Sequence, residues 1–179
     1  MSRTWVDAGE PFGRLFNEFT RSAWRWECQG TYHESDEVEP WARWRAGVRD
    51  NSWIEPWTEA VRAMRRQGKT FRRVRMLTEP LTDYLRWMLD VTPANIAAGE
   101  DIRWTTKDVA RDLGMPSYDF YLFDDERLAI LHFGEHGVSG ADLVDDADVV
   151  ARHLAWRAKV WQVAISHDQY VRQHSERSP

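Results

Sequence analysis

Apolar positions recur at two spacings along this chain, and the switches between them lay out its elements. Phe12, Leu15, Phe16 and Phe19 fall on one helical stripe, so a short amphipathic helix is expected over residues 12–19. Residues 22–29 then alternate, with Trp24, Trp26 and Cys28 on one side and Arg25 and Glu27 on the other, the pattern of a half-buried strand. A second helical stretch, Glu37 to Ala46, carries Trp41 and Trp44 three apart and stops at Gly47. Ser52-Trp53-Ile54-Glu55 reads as a capping box, and Trp57, Val61 and Met64 continue an apolar stripe until Gly68. Lys69 to Leu77 alternates again, Arg72, Val74 and Met76 against Phe71, Arg73 and Arg75. A helix thus returns into a strand through one glycine, as α/β units do.

The second half continues in the same way. Pro80 is expected to open a helix over 81–89 with Leu81, Tyr84, Leu85 and Met88 inward. Pro93 to Ala98 reads as a separate turn stopped by Gly99, Ile102 to Trp104 as a short strand, and Lys107 to Leu113 as a short helix closed by Gly114. Residues 118–123 and 127–133 form a hairpin around Asp124-Asp125-Glu126, with Gly140 to Val144 as an edge strand. A long helix over 147–165 closes the chain, Val150, Leu154, Ala158 and Trp161 on one face. These elements predict an α/β fold, a mixed sheet flanked by helices; α+β is the alternative if the hairpin dominates. With 179 residues and no repeat or long linker, one domain over 1–179 is expected.

Composition narrows the class. A chain 42% hydrophobic and 30% charged is globular in balance. Its longest apolar run, Leu128 to Leu131, is far too short to span a bilayer, and no charged segment leads into an apolar one near Met1. The single cysteine, Cys28, rules out an intramolecular disulfide framework and a thiolate zinc cage. A cytoplasmic protein without a membrane role is therefore expected. The net charge of −5 hides an asymmetry, because residues 1–80 carry 14 basic and 12 acidic groups while the rest carry 10 and 17. From Arg62 to Arg75 there are seven basic residues and no acid. Of the 24 basic residues only Lys69, Lys107 and Lys159 are lysine, and there are 11 Trp, which favours surfaces built on planar forks and aromatic faces.

The motifs that could carry chemistry are few. His132-Phe133-Gly134-Glu135-His136 spells a zinc-peptidase order, but it needs a helix; with Gly134 and Gly137 in and beside it, and a strand running in, it reads as a β-turn. Asp124-Asp125-Glu126 sits where a hairpin turn wants Asp, and Asp145-Asp146-x-Asp148 where a helix wants its N-cap and first-turn acids. His167-Asp168 reads as charge near the end of the last helix. No phosphate loop or esterase elbow occurs, so no metal, cofactor or catalytic residue is assigned. The densest polar and aromatic stretch runs from Arg75 to Trp104. Either it builds a recessed pocket, or its ion pairs brace a helix and the loop after it. The ligand-binding candidates are Arg75, Glu79, Tyr84, Arg86, Trp87, Glu100, Asp101, Arg103 and Trp104, with Arg75 and Arg103 placed to hold an anionic group.

Several segments carry a family resemblance. Arg72-Arg73-Val74-Arg75, Thr78-Glu79-Pro80-Leu81-Thr82-Asp83-Tyr84-Leu85-Arg86-Trp87, Ala98-Gly99-Glu100-Asp101-Ile102-Arg103-Trp104 and Asp119-Phe120-Tyr121-Leu122-Phe123-Asp124 resemble an actinobacterial domain-of-unknown-function family. Thr92-Pro93-Ala94-Asn95, Phe12-x-x-Leu15-Phe16 and Ser22-Ala23 extend it over nearly the whole chain. Members of that family look like neighbours of Xre-type helix-turn-helix regulators, so the resemblance implies a regulatory partner, in a toxin–antitoxin-like pair or otherwise. The element order also resembles half of a phospholipase D-like domain. That superfamily's His-x-Lys pair is missing, since none of His33, His132, His136, His153, His167 and His174 has Lys two residues later.

Three functions follow in order. The first is a non-catalytic regulatory or protein-interaction module meeting a helix-turn-helix regulator through a charged, Trp-rich surface. The second is a small-molecule anion sensor or hydrolase-type enzyme built on Glu79, Arg86, Glu100 and Asp101. The third, ranked last because the chain is acidic (pI about 5.7) and lacks a helix-turn-helix signature, is direct nucleic-acid binding through Arg62–Arg75. Homo-oligomerisation is left open.

Overall fold

The computed structural model describes residues 3–175 and has one mixed sheet with helices on both faces, the α/β class expected. The strands are β1 (Arg3–Asp7), β2 (Ser22–Glu27), β3 (Thr70–Leu77), β4 (Asp101–Thr106), β5 (Phe120–Phe123), β6 (Arg127–Gly134), β7 (Gly137–Val144) and β8 (Ile165–Ser166). Across the sheet they run β1-β7-β6-β5-β2-β3-β4-β8. Only β2, β3 and β4 pair in parallel. Each of those connections therefore needs a crossover. The β2–β3 crossover holds α2 (Val38–Arg45) and α3 (Glu55–Arg66), and the β3–β4 crossover holds α4 (Asp83–Ala98). The remaining helices are α1 (Glu10–Glu18), α5 (Lys107–Asp112), α6 (Ala147–Val163) and α7 (His167–Ser175).

Alternation along the strands divides the interior. One face packs Trp24, Trp26, Val74, Phe120, Leu122, Leu128 and Val144 against Ala110 of α5 and Val150 and Val160 of α6. The other face carries Phe71, Tyr121, Phe123 and Leu131 under Leu15 of α1 and Met64 of α3, and Leu77, Ile102 and Trp104 under α4 and Tyr170 of α7. The result is a three-layer sandwich, helix on sheet on helix.

Several local expectations change. Ser52 forms no capping box: Ser52–Ile54 is a 3-10 turn, and α3 starts behind Ile54 without a side-chain cap. The two segments expected at 81–89 and 93–98 are one helix. Thr82 caps α4 through the Leu85 amide, and the helix runs on through Pro93 because Val91, Asn95 and Ala98 bury the side that faces the sheet. Gly140–Val144 is not an edge; it belongs to β7, which lies between β6 and β1. β1 covers that edge with Trp5 folded over Gly140, where an added Cβ would collide with the indole. His167 does not end the last helix. It opens α7, buried, and accepts a 3.3 Å hydrogen bond on Nδ1 from Trp104 Nε1.

Candidate functional site

Two parallel strands bring four charges together under one helical layer. β2 and β3 pair with Arg25 beside Arg73 and Glu27 beside Arg75, all on the face opposite Trp24, Trp26 and Val74. Side chains two apart share a face, so the register forces these groups into contact. Glu27, Arg73 and Arg75 are 3%, 5% and 7% exposed, so each must find its counter-charge within the protein. Glu27 is the hub. Its Oε1 accepts from Arg73 Nη1 at 2.9 Å and lies 3.1 Å from Arg25 Nη1, and its Oε2 accepts from Arg75 Nε. Burial by itself would raise the Glu27 carboxyl; the three guanidiniums outweigh it and hold the group at about 2.

Two further carboxylates complete the floor. Gly99 closes α4 at φ 121°, a conformation open to glycine at little cost, and sends the chain into Glu100 beneath Arg73. Glu100 Oε2 accepts from Arg73 Nε at 3.0 Å, and Oε1 accepts from Trp57 Nε1 at 2.5 Å. Asp119 lies 3.6 Å from Arg25 Nη2 and accepts from the Tyr32 hydroxyl at 2.7 Å and from the Cys28 amide at 3.0 Å. Burial, with Asp119 beside it, pushes the Cys28 thiol well up, so that sulfur stays protonated.

Above this floor lies a cavity of about 760 Å³. Tyr84, Met88, Val91 and Asn95 form its α4 wall, spaced four, three and four residues apart, so it extends about 16 Å along that helix. Trp53 and Trp57 face it from the segment leading into and through the start of α3, and Phe12 and Tyr121 from the other side. Glu34, Asp36 and Glu37 line its solvent end. Glu37 accepts from the Tyr84 hydroxyl at 2.8 Å, and burial pushes its carboxyl up to about 7. Among the described residues, six buried side-chain nitrogen or oxygen atoms lack a hydrogen-bond partner. Four of them, Arg25 Nε, Trp53 Nε1, Arg75 Nη1 and Asn95 Oδ1, belong to residues that line this cavity.

Of the residues singled out from sequence, Arg75 and Tyr84 line the cavity and Glu100 lies in the floor network. Trp87 and Trp104 are buried in the apolar cluster behind it; Trp87 stacks on Trp53 at 5.1 Å. Glu79 is exposed, and Arg86 points outward from α4, 3.8 Å from Asp83. Asp101 pairs with Arg103 at 3.4 Å. Arg103 lies on the opposite face from Arg75, its guanidinium 3.8 Å over the Trp161 ring, so these two arginines cannot clamp one anion. The residues that sequence left out of the site are Arg25, Glu27, Arg73, Asp119 and the segment 34–37. Alternation had already put Arg25 with Glu27, and Arg73 with Arg75, on shared faces; what it lacked was their burial.

Other motifs resolve into structure. His132 and His136 sit on the β6–β7 hairpin, His132 Nε2 3.1 Å from Asp142. Asp124 and Asp125 take positive φ at the β5–β6 turn, and Asp124 accepts from the Thr20, Arg21 and Ser22 amides. Asp146 caps α6. The run Arg62–Arg75 forms no single basic patch: Arg62 and Arg66 bridge to Glu59 on their own helix, Arg73 and Arg75 are buried, and Arg72 lies over Trp161 on the far face. Nor do the tryptophans build a surface. Trp5 is exposed, and the other ten are buried or half-buried because they pack the sheet and the cavity walls.

Comparison with known proteins gives a family and a distant likeness. The family model described as Domain of unknown function (DUF6879) matches residues 10–172. No curated protein matches the chain. Among solved structures, TrmBL2, described as an archaeal chromatin protein with a novel mode of DNA binding, is similar at 12% identity and a TM-score of 0.46. That alignment covers 92% of this chain and 54% of TrmBL2, so the chain spans about half the length of that protein. Among the described residues no helix is long and apolar enough to cross a membrane.

Proposed function

This chain belongs to the DUF6879 family, and we propose that it is a small-molecule-binding domain whose ligand lies in the cavity between α4, α3 and the Arg25–Glu27–Arg73–Arg75 floor. The observation that carries this reading is a cavity of about 760 Å³ with aromatic walls, set over a buried network of mutually paired charges. The volume is within the range of small-molecule sites, and its walls are mainly aromatic and aliphatic with a few convergent polar groups. The Glu27 carboxyl, held at about 2 by the guanidiniums around it, neither takes nor gives a proton near neutrality, which suits recognition.

A regulatory role fits this reading: the cavity is the sensing end, and a helix-turn-helix partner is where occupancy would be read out. A second reading, an enzyme, has one observation in its favour. Glu37 is a carboxyl beside the cavity with its pKa pushed up to about 7, the range of a general acid or base.

The test is native purification followed by denaturation and mass analysis of what is released. Wild type is expected to release a small molecule, and Arg75→Met to release much less while staying folded by circular dichroism. If wild type releases nothing, and no small-molecule fraction of host extract raises its melting temperature, the reading fails.

A further inference from the structure

The charges around the cavity divide into two groups. In the floor, each guanidinium has a carboxylate: Arg73 with Glu100, Arg75 with Glu27, and Arg25 with Asp119 and Glu27. Three cations meet three anions, so the floor carries no net charge to draw in an anion. An oxyanion placed against Arg75 would also meet Glu27. The cavity's other charged groups are Glu34, Asp36 and Glu37, and among the described residues none of the three is within ion-pair distance of an arginine or lysine. Among the described residues the Glu34 carboxylate accepts only from the Val138 amide, at 3.3 Å, and the Glu37 carboxylate only from the Tyr84 hydroxyl. The surplus at the solvent end is negative.

The walls favour the same sign. Trp53, Trp57 and Tyr84 line the cavity, and aromatic rings attract cations through the negative charge of their faces.

We propose that the ligand is an organic cation: its ammonium or amidinium lies among Glu34, Asp36 and Glu37, and its body lies against Trp53, Trp57 and Tyr84. This rests on the small-molecule reading above and adds the charge of the ligand. It replaces the anion expected from sequence, because Arg103 is on the wrong face to assist Arg75.

The experiment uses the full chain and matched probe sets on shared scaffolds: amines, the corresponding neutral alcohols and the corresponding carboxylic acids, with tyramine, tyrosol and 3-(4-hydroxyphenyl)propionate as one such set. Binding is read by thermal shift and then by calorimetry. Hits should be amines, binding about tenfold or more tightly than the matched alcohols. Asp36→Asn and Glu37→Gln should shrink that preference to about threefold or less. Asp36 is exposed and accepts no bond in the structure, so its variant keeps the test meaningful if Glu37→Gln folds poorly. If alcohols or acids bind wild type as tightly as amines, the inference is overturned while the small-molecule reading stands. If no set binds at millimolar concentration and wild type releases nothing on denaturation, both fall.

Discussion

β2 and β3 build two different interiors with alternate residues of the same two strands. Toward α5 and α6 they present Trp24, Trp26 and Val74, and the space closes into an apolar core. Toward α3 and α4 they present Arg25, Glu27, Arg73 and Arg75, and the space stays open. Stability alone does not ask for the second arrangement. Replacing a buried ion network by well-packed apolar groups is often neutral or stabilising, since desolvation offsets most of the Coulombic gain. The same strand pair thus packs an apolar core on one face and sets matched charges beneath a cavity on the other.

That contrast can be broken most sharply at the hub. Leu128→Ala on the closed face should cost about 2–5 kcal/mol by leaving a void, and Glu27→Leu on the open face about 3–5 kcal/mol by stranding Arg75. The two diverge when a second change is added. In Glu27→Leu with Arg75→Met, Arg73 keeps Glu100 and Arg25 keeps Asp119, so the charges are matched again. At least half the loss should return, read by urea denaturation. A double variant no more stable than Glu27→Leu would mean that the network contributes as packed volume and not as charge.

How far the sequence revealed this follows from the same parity. The strands were legible because alternation is strong in both, and with it the facts that Arg25 sits with Glu27 and Arg73 with Arg75. Their burial was not legible: a charge pattern on one face of a strand looks the same whether water or a helix covers it. The partners are remote, Glu27 lying 46 and 48 positions from Arg73 and Arg75, so only the parallel register joins them. Conversely, Arg75 to Trp104 looked like one polar region but spans β3, α4 and β4. Arg86 went to the outer side of α4 while Tyr84 went inward, and Arg103 went to the opposite face of β4 from Trp104. β1 and β8 escaped notice because one is largely exposed and the other has two residues.

The open side also has its own pH dependence, with two opposed contributions. Glu27 is held at about 2 against an ordinary 4.5, so the stability it supplies is complete above pH 4.5 and is lost as pH falls toward 2. Glu37 is pushed up to about 7 from the same ordinary value, so the folded state keeps a proton that the unfolded chain gives up earlier. Its contribution is complete below pH 4.5 and declines as pH rises to 7, by about 3 kcal/mol. Glu37→Gln keeps an oxygen for the Tyr84 hydroxyl and cannot ionise. Melting temperatures between pH 5 and pH 8 should fall in wild type by about 5 °C more than in this variant. Equal slopes would show that the carboxyl is ionised throughout.

The smallest effect is expected from arginines of the same basic run that stayed outside. Arg62 and Arg66 lie toward the solvent side of α3 and pair directly with Glu55 and Glu59 at 3.1–3.2 Å. Such pairs are screened by salt and lose side-chain entropy in forming. Arg62→Ala with Arg66→Ala should therefore move the melting temperature by about a degree or less, and binding in the cavity should not change. Arg73→Ala, only a few positions along, should unfold the protein many degrees earlier, because it leaves Glu100 buried with Trp57 as its remaining partner. A large loss from the exposed pair would place a ligand or partner on that face of α3. It would also undo the separation between a run that is continuous in sequence and the three surroundings into which the fold divides it.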